Sequence, residues 1–158
     1  MPFDRPARDE VVVRTLAPGD RDAVIDIDGR VMGRRRTAFL DAKLRQAATD
    51  TGIAVSLVAE IDGAVVGFLL ARVYYGEFGI TERVAVLDVL GVHPDFKRRG
   101  VGAALVDQLR TNLLGLGIRT LRTEVGWDNL DLIAFFHHQR FEPAPRLCLE
   151  LDLEKTRS

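Results

Sequence analysis

Cysteine is almost absent: Cys148 is the only one in 158 residues. One thiol excludes an intramolecular disulfide framework and a cysteine-based zinc site, and it suits a reducing cytoplasm. Set in the alternating run Leu147, Leu149, Leu151, it reads as packing rather than chemistry. Charge of one sign is also lacking, since 22 basic and 23 acidic side chains leave a formal net charge of -1. No global field draws the chain to nucleic acid or to a membrane surface, so any cationic function must be local. No apolar run approaches the ~20 residues of a membrane span. The stretch Met1–Asp9 is polar, carries Asp4, Asp9 and two prolines, and lacks the apolar core of a signal peptide. These absences predict a soluble, cytoplasmic protein with a flexible segment 1–9.

What is present is ordinary globular material: 47% apolar and 28% charged residues. The length fits one domain over 1–158, because two cores would each be marginal. Val11–Val13 with Arg14–Leu16 reads as a first strand. Pro18-Gly19-Asp20 is a turn leading into a helix over Arg21–Val31. A second helical pattern opens at Arg34-Arg35-Arg36, with Phe39, Leu40 and Leu44 on one face and Gly52 at its end. Ile53–Ile61 and Val65–Tyr75 are strands joined by the hairpin signal Asp62-Gly63. Val84–Val92 is a third apolar strand of this group, stopped by His93-Pro94. A helix runs from Gly100 to about Gly115, followed by a strand over Ile118–Val125, a helix over Asn129–Gln139 and an alternating strand over Arg146–Leu153. Three antiparallel strands before a βαβ unit define an α/β class with a mixed, mostly antiparallel sheet and about four helices.

The most informative segment is Val84–Leu109: strand, short turn, three bases, two close glycines, helix. A helix N-terminus presents unsatisfied N–H groups and the positive end of the macrodipole, which together attract an anion. Gly100 and Gly102 remove the Cβ atoms that would hold a phosphate away, while Lys97, Arg98 and Arg99 add cations around it. Phosphate binding is the natural reading, against solvated bases beside a plain tight turn. No Gly-x-x-x-x-Gly-Lys-Ser/Thr occurs, so a P-loop is excluded. A dinucleotide-binding alternative has Glu124 about 20 residues after Gly102, but Leu105 stands at the third glycine position.

At these residues the chain resembles the GNAT superfamily of N-acetyltransferases, whose signature Gln/Arg-x-x-Gly-x-Gly/Ala follows a strand and a Val-x-Pro turn. Here Leu90-Gly91-Val92-His93-Pro94 precedes Lys97-Arg98-Arg99-Gly100-Val101-Gly102, with Lys97 in place of the usual Gln or Arg. The element order agrees from Val11 to Leu153. The resemblance implies acetyl-CoA as donor and an amine as acceptor. It places Leu90, Val92 and the run Lys97, Arg98, Arg99, Gly100, Val101, Gly102, Ala103 at the cofactor, with no metal ion and no nucleic-acid partner. It also sets Asn129 at the pantetheine arm, alongside the plain N-cap that this residue would make. Phe136 departs from the family pattern, because relatives carry there a Tyr whose hydroxyl protonates the departing thiolate. His137, His138 or water would then supply that proton.

An amine arrives mostly as ammonium, so a base is needed. Asp88 is the carboxylate within Val86-Leu87-Asp88-Val89-Leu90, and strand alternation predicts that it shares a face with Val86, Leu90 and Val92. It suits a base acting directly or through water, or else a structural carboxylate paired with a basic side chain. Glu77 and Glu82 lie in a loop, Gly76–Arg83, that forms one wall of the acceptor site in relatives. Tyr74, Tyr75 and Trp127 read as wall or core. The competing class of function is an acyl-CoA-binding or sensing module without catalysis, to which Phe136 lends support. Edge strands such as Arg146–Leu153 leave room for a homodimer.

Overall fold

The computed structural model describes residues 10–49, 54–75 and 82–155. The expected flexible stretch 1–9, the helix end at Gly52, and all of the Gly76–Arg83 loop except Glu82 and Arg83 lie outside them. In chain order the elements are β1 (Val12–Thr15), a 3-10 turn (Pro18–Asp20), α1 (Arg21–Met32), α2 (Thr37–Thr49), β2 (Leu57–Ile61), β3 (Ala64–Tyr75) and β4 (Arg83–Val92). A second 3-10 turn (Pro94–Phe96), α3 (Val101–Gly115), β5 (Leu121–Thr123) and α4 (Leu130–His138) follow. Contacts divide the chain into two compact units, 1–124 and 125–158.

The first unit carries one sheet in the order β1-β2-β3-β4-β5. Its first four strands are antiparallel and β5 runs parallel to β4, the mixed, mostly antiparallel class that the pattern predicts. Asp62 and Gly63 both take positive φ, 50° and 77°, as a two-residue hairpin turn of matching twist requires. On one face Val58, Phe68, Leu70 and Val89 pack with Val24, Ile25 and Ile27 of α1 and Leu40 of α2. The other face receives α3 through Val101, Leu105, Val106, Leu109 and Leu113, all buried at the spacing of one helix face. Burial of each such side chain contributes about 1.5–3 kcal/mol.

Gly67 sets how closely α3 approaches. A Cβ there would lie 2.7 Å from Val101 Cγ1 and 3.3 Å from Leu105 Cδ1, so the first turn of α3 rests against the bare backbone of β3. At the opposite end of the sheet, Arg14 of β1 donates to both oxygens of buried Asp20 at 2.8 Å and to Glu60 at 2.8 Å. This ties β1 and β2 to the entry of α1. The Arg14 guanidinium holds the Asp20 carboxyl below the usual carboxylate range, against the upward push of burial, and the Ala17 N–H adds to the lowering.

Three boundaries differ from the sequence reading. First, α2 begins at Thr37, not at the arginines. Asp28 is buried on α1 and needs a partner, so Arg36 leaves the helix start, clasps it at 2.6 and 2.9 Å and stacks over Phe39. Second, β2 and β5 are shorter than their apolar runs. Third, Arg146–Leu153 is not a strand. Alternating hydrophobicity encodes a face, not a ladder partner, and here Leu147, Leu149, Leu151 and Leu153 are 69–87% exposed. Cys148 is exposed with them, which corrects its reading as packing.

In the second unit, α4 begins at Asn129, whose Oδ1 accepts from the Leu132 N–H at 3.3 Å, the expected N-cap. Phe136 is buried, with Phe135 and Phe141 at ring distances of 5.3 and 4.9 Å. Arg140 takes φ of 69° as the helix ends.

Candidate functional site

Between β4 and α3 the chain makes a compact basic turn. Pro94 ends the strand, and His93 Nδ1 accepts from the Asp95 N–H at 3.1 Å, with its ring edge-on to Phe96. Lys97 is extended, Arg98 takes φ of +65° and Gly100 φ of +77°. That left-handed conformation costs a side chain with Cβ about 1–2 kcal/mol, which glycine avoids and Arg98 bears. Gly100 is the N-cap of α3, and no side chain bonds to the helix start. The helical ladder opens with Ala104 N–H to Gly100 O at 2.9 Å, so the N–H groups of Val101, Gly102 and Ala103 point outward as an anion seat. Outside the turn is open space, since a Cβ on Gly100 would meet no atom within 4 Å. Lys97 and Arg98 are exposed around it. Arg99 is turned aside: it donates to Glu10 at 3.0 Å and lies over the Phe96 ring.

Beside this turn, β4 loses its partner. The parallel pairing joins Ala85, Val86 and Leu87 to Leu121, Arg122 and Thr123 and then stops, sealed by Thr123 Oγ1 donating to Leu87 O at 2.9 Å. The backbone of Val89–Val92 on that edge has no β5 residue paired to it. Half-buried Leu90 and Val92 therefore sit on an open strand edge that leads into the basic turn.

The opening coincides with a β-bulge. Leu70 pairs with Val89 and Ala71 with Leu87, so Asp88 is the extra, unpaired residue. A bulge re-aims a side chain and shifts the alternation by one. Asp88 consequently sits with Val86 and Arg72, while Leu90 and Val92, opposite Leu69 and Gly67, lie on the α3 face. The expected sharing of one face by Asp88, Leu90 and Val92 is thereby corrected.

Asp88 Oδ2 accepts from Arg72 Nε at 2.9 Å, and Lys43 Nζ lies 3.9 Å from Oδ1. The pairing with a basic side chain, one of the two alternatives for this carboxylate, is thus present. Arg72 also stacks over the Tyr74 ring at 5.4 Å, and Arg122 of β5 donates to the Tyr74 hydroxyl at 3.3 Å. The sequence reading overlooked Lys43, Arg72 and Arg122. A signal existed for Arg72, since Phe68, Leu70, Arg72 and Tyr74 alternate onto one face. Nothing in the sequence marks the bulge that brings Asp88 to it. Trp127 is 88% exposed, which excludes it from the core; His137, His138 and Glu82 are also exposed. A cavity of about 520 Å³, lined by Leu16, Pro18, Leu44 and Ser56, contains none of the predicted site residues. Among the described residues no group of three His, Cys, Asp or Glu could hold a metal ion, and no helix is long and apolar enough to cross a membrane.

An uncapped, glycine-led helix start beside a strand edge without a β5 partner defines a class of site, an anion seat next to free backbone groups. The chain belongs to the acetyltransferase (GNAT) family, whose model matches residues 21–141. It is 34% identical over 93 residues to an acetyltransferase of Yersinia enterocolitica, a match covering 59% of this chain and 61% of the relative. The matched stretch thus spans about three fifths of that curated relative. Among solved structures, the aminoglycoside N-acetyltransferase AAC(6')-Iy in complex with CoA superposes with a TM-score of 0.74 at 18% identity, over 90% of this chain and 95% of that one. Ard1 from Thermoplasma volcanium gives 0.67 at 25% identity, over 82% and 81%.

Proposed function

We propose that this chain is an acetyl-CoA-dependent N-acetyltransferase that moves an acetyl group to a primary amine by direct attack, without a covalent enzyme intermediate. The observation that carries the reading is the uncapped start of α3 beside the unpaired edge of β4. In this reading the backbone N–H groups from Arg98 to Ala103, across Arg99, Gly100, Val101 and Gly102, receive the pyrophosphate, and Lys97 and Arg98 add charge around it. Leu90 and Val92 offer free backbone groups to the amides of the pantetheine arm. Bound there, acetyl-CoA supplies the activated thioester. Asp88, aimed out of the sheet by the bulge, takes the proton from the attacking amine directly or through water, with Arg72 fixing its orientation. The structure of AAC(6')-Iy with CoA supports the cosubstrate through the family.

Phe136 favours a second reading, an acyl-CoA-binding module, because a phenyl ring has no proton to give. A thiolate whose parent thiol has a pKa of about 8.5 is nevertheless a moderate leaving group, and water can protonate it. Steady-state release of free thiol from acetyl-CoA over a panel of amines separates the two: an enzyme releases it in proportion to amine, a binding module only at background. Gly102→Asp, which places a carboxylate against the phosphate seat, abolishes acetyl-CoA binding in calorimetry under either reading. Parent-like binding by that variant would refute the assigned seat.

A further inference from the structure

Resting on the acetyl-transfer reading, we infer that the acceptor amine carries a carboxylate, and that Arg122 and Arg72 receive it. Side chains from three elements converge where β4 and β5 part: Lys43 of α2, Arg72 of β3 and Arg122 of β5. Arg72 and Lys43 face one carboxylate, Asp88, and Arg122 reaches the Tyr74 ring that lies under Arg72. The neighbouring Arg36 is already matched by Asp28, so it neither adds to the excess nor relieves it. Among the described residues Arg122 has a phenol as partner and no carboxylate.

The geometry is that of a divided receptor. Arg72 spends its Nε on Asp88 and lies over the face of the Tyr74 ring at 5.4 Å, while Arg122 holds the hydroxyl of the same ring. Two guanidinium groups thus flank Tyr74 with N–H groups to spare, and planar forks of this kind match a carboxylate through paired hydrogen bonds. Asp88, 2.9 Å from Arg72 Nε, is the carboxylate of this cluster among the described residues, and it would meet the substrate's ammonium before the proton leaves. A polycationic acceptor would bring further positive charge against Lys43, Arg72 and Arg122, and like charges set close in a partly desolvated site cost affinity. An acceptor with an amine at one end and a carboxylate within a few bonds satisfies both halves.

The test uses three acceptors of equal frame with the whole chain: glycyl-glutamate amide, glycyl-glutamine amide and glycyl-lysine amide. The expected order of kcat/KM is glutamate first and lysine last. Arg122→Gln should raise KM for the glutamate compound about tenfold to a hundredfold, the value of one charge-assisted contact. It should raise KM for the glutamine compound much less, so that the preference for glutamate collapses, while the affinity for acetyl-CoA stays as in the parent, and Arg122→Lys should recover part of the loss. Preference for the lysine compound, or a preference for glutamate that survives Arg122→Gln, overturns the inference while acetyl transfer stands. Should none of the three turn over, calorimetry of their binding to the CoA complex decides in the same directions, and no binding by the glutamate compound overturns it. Failure of the parent to bind acetyl-CoA at all would instead sink the acetyltransferase reading beneath it.

Discussion

Replacing Gly67 with alanine tests how the fold positions the anion seat. The new methyl would sit 2.7 Å from Val101 Cγ1 and 3.3 Å from Leu105 Cδ1, where carbon atoms prefer about 3.5–4.0 Å. Either β3 yields or the start of α3 lifts by about 1 Å. Overpacking of this size costs about 1–3 kcal/mol, set against a gain below about 1 kcal/mol from restricting the unfolded chain. For a chain of this length the net loss lowers Tm by roughly 2–10 °C. Because Val101 is the first residue of α3, the same displacement moves the outward N–H groups, so acetyl-CoA affinity should fall alongside stability. Thermal unfolding and calorimetry would both be run on Gly67→Ala, Val101→Ala and the double variant. In the double variant the contact with Val101 is gone, so its loss of stability should be smaller than the sum of the two single losses, a coupling that a double-mutant cycle reads directly. If Gly67→Ala unfolds at the parent temperature and binds acetyl-CoA as the parent does, Gly67 does not set the height of α3 and the reasoning fails.

Asp20→Asn should cost about 1–3 kcal/mol at pH 7, since it breaks charge-assisted bonds to Arg14 at a buried position. The folded Asp20 titrates below the unfolded value of about 3.9, so its contribution is present above that pH and lost as pH falls further. The gap between parent and variant in urea melts should therefore close below about pH 4, and a gap that widens in acid would refute the assignment. For Asp88→Asn, kcat/KM should drop by about 10²–10⁴, most on the acidic limb where the amine is protonated; an unchanged pH profile with intact folding would leave Asp88 a structural partner of Arg72. Phe136→Tyr should keep its turnover or raise it, with a stability loss of about 1–3 kcal/mol if the new hydroxyl finds no partner. Turnover gained only in that variant would favour the binding-module reading.

The parts of this protein legible in its sequence are those with local causes. The Asp62-Gly63 turn needs only two residues that tolerate positive φ, and the start of α3 is announced by Gly100 and by the apolar spacing after it. Asn129 reads as an N-cap because a short polar side chain before an apolar run has little else to do. What escaped depends on partners distant in sequence. Arg36 deserts the helix start for Asp28, an exchange invisible until α1 and α2 lie side by side. The leucines of Arg146–Leu153 alternate as a strand would, but alternation does not supply the neighbouring ladder. In the site, the uncapped start of α3 was legible because one continuous segment builds it. The cluster of Lys43, Arg72, Asp88 and Arg122 was not, since four elements and a shift of register assemble it.

That shift has a bearing on how the gene can vary. Downstream of Asp88, Val89 and Gly91 belong to the α1 and α2 side of the sheet and Leu90 and Val92 to the α3 side, in antiphase with the residues before it. Removing codon 88 would close the bulge: Leu87 and Val89 would follow one another opposite Ala71 and Leu70, and the end of β4 would keep its partners on β3. Gly91, whose place beside the Phe68 ring leaves no room for even a methyl, would stay opposite Phe68. The ladder therefore does not need this residue; what the extra count adds is a carboxylate set outside the pairing, within reach of Arg72.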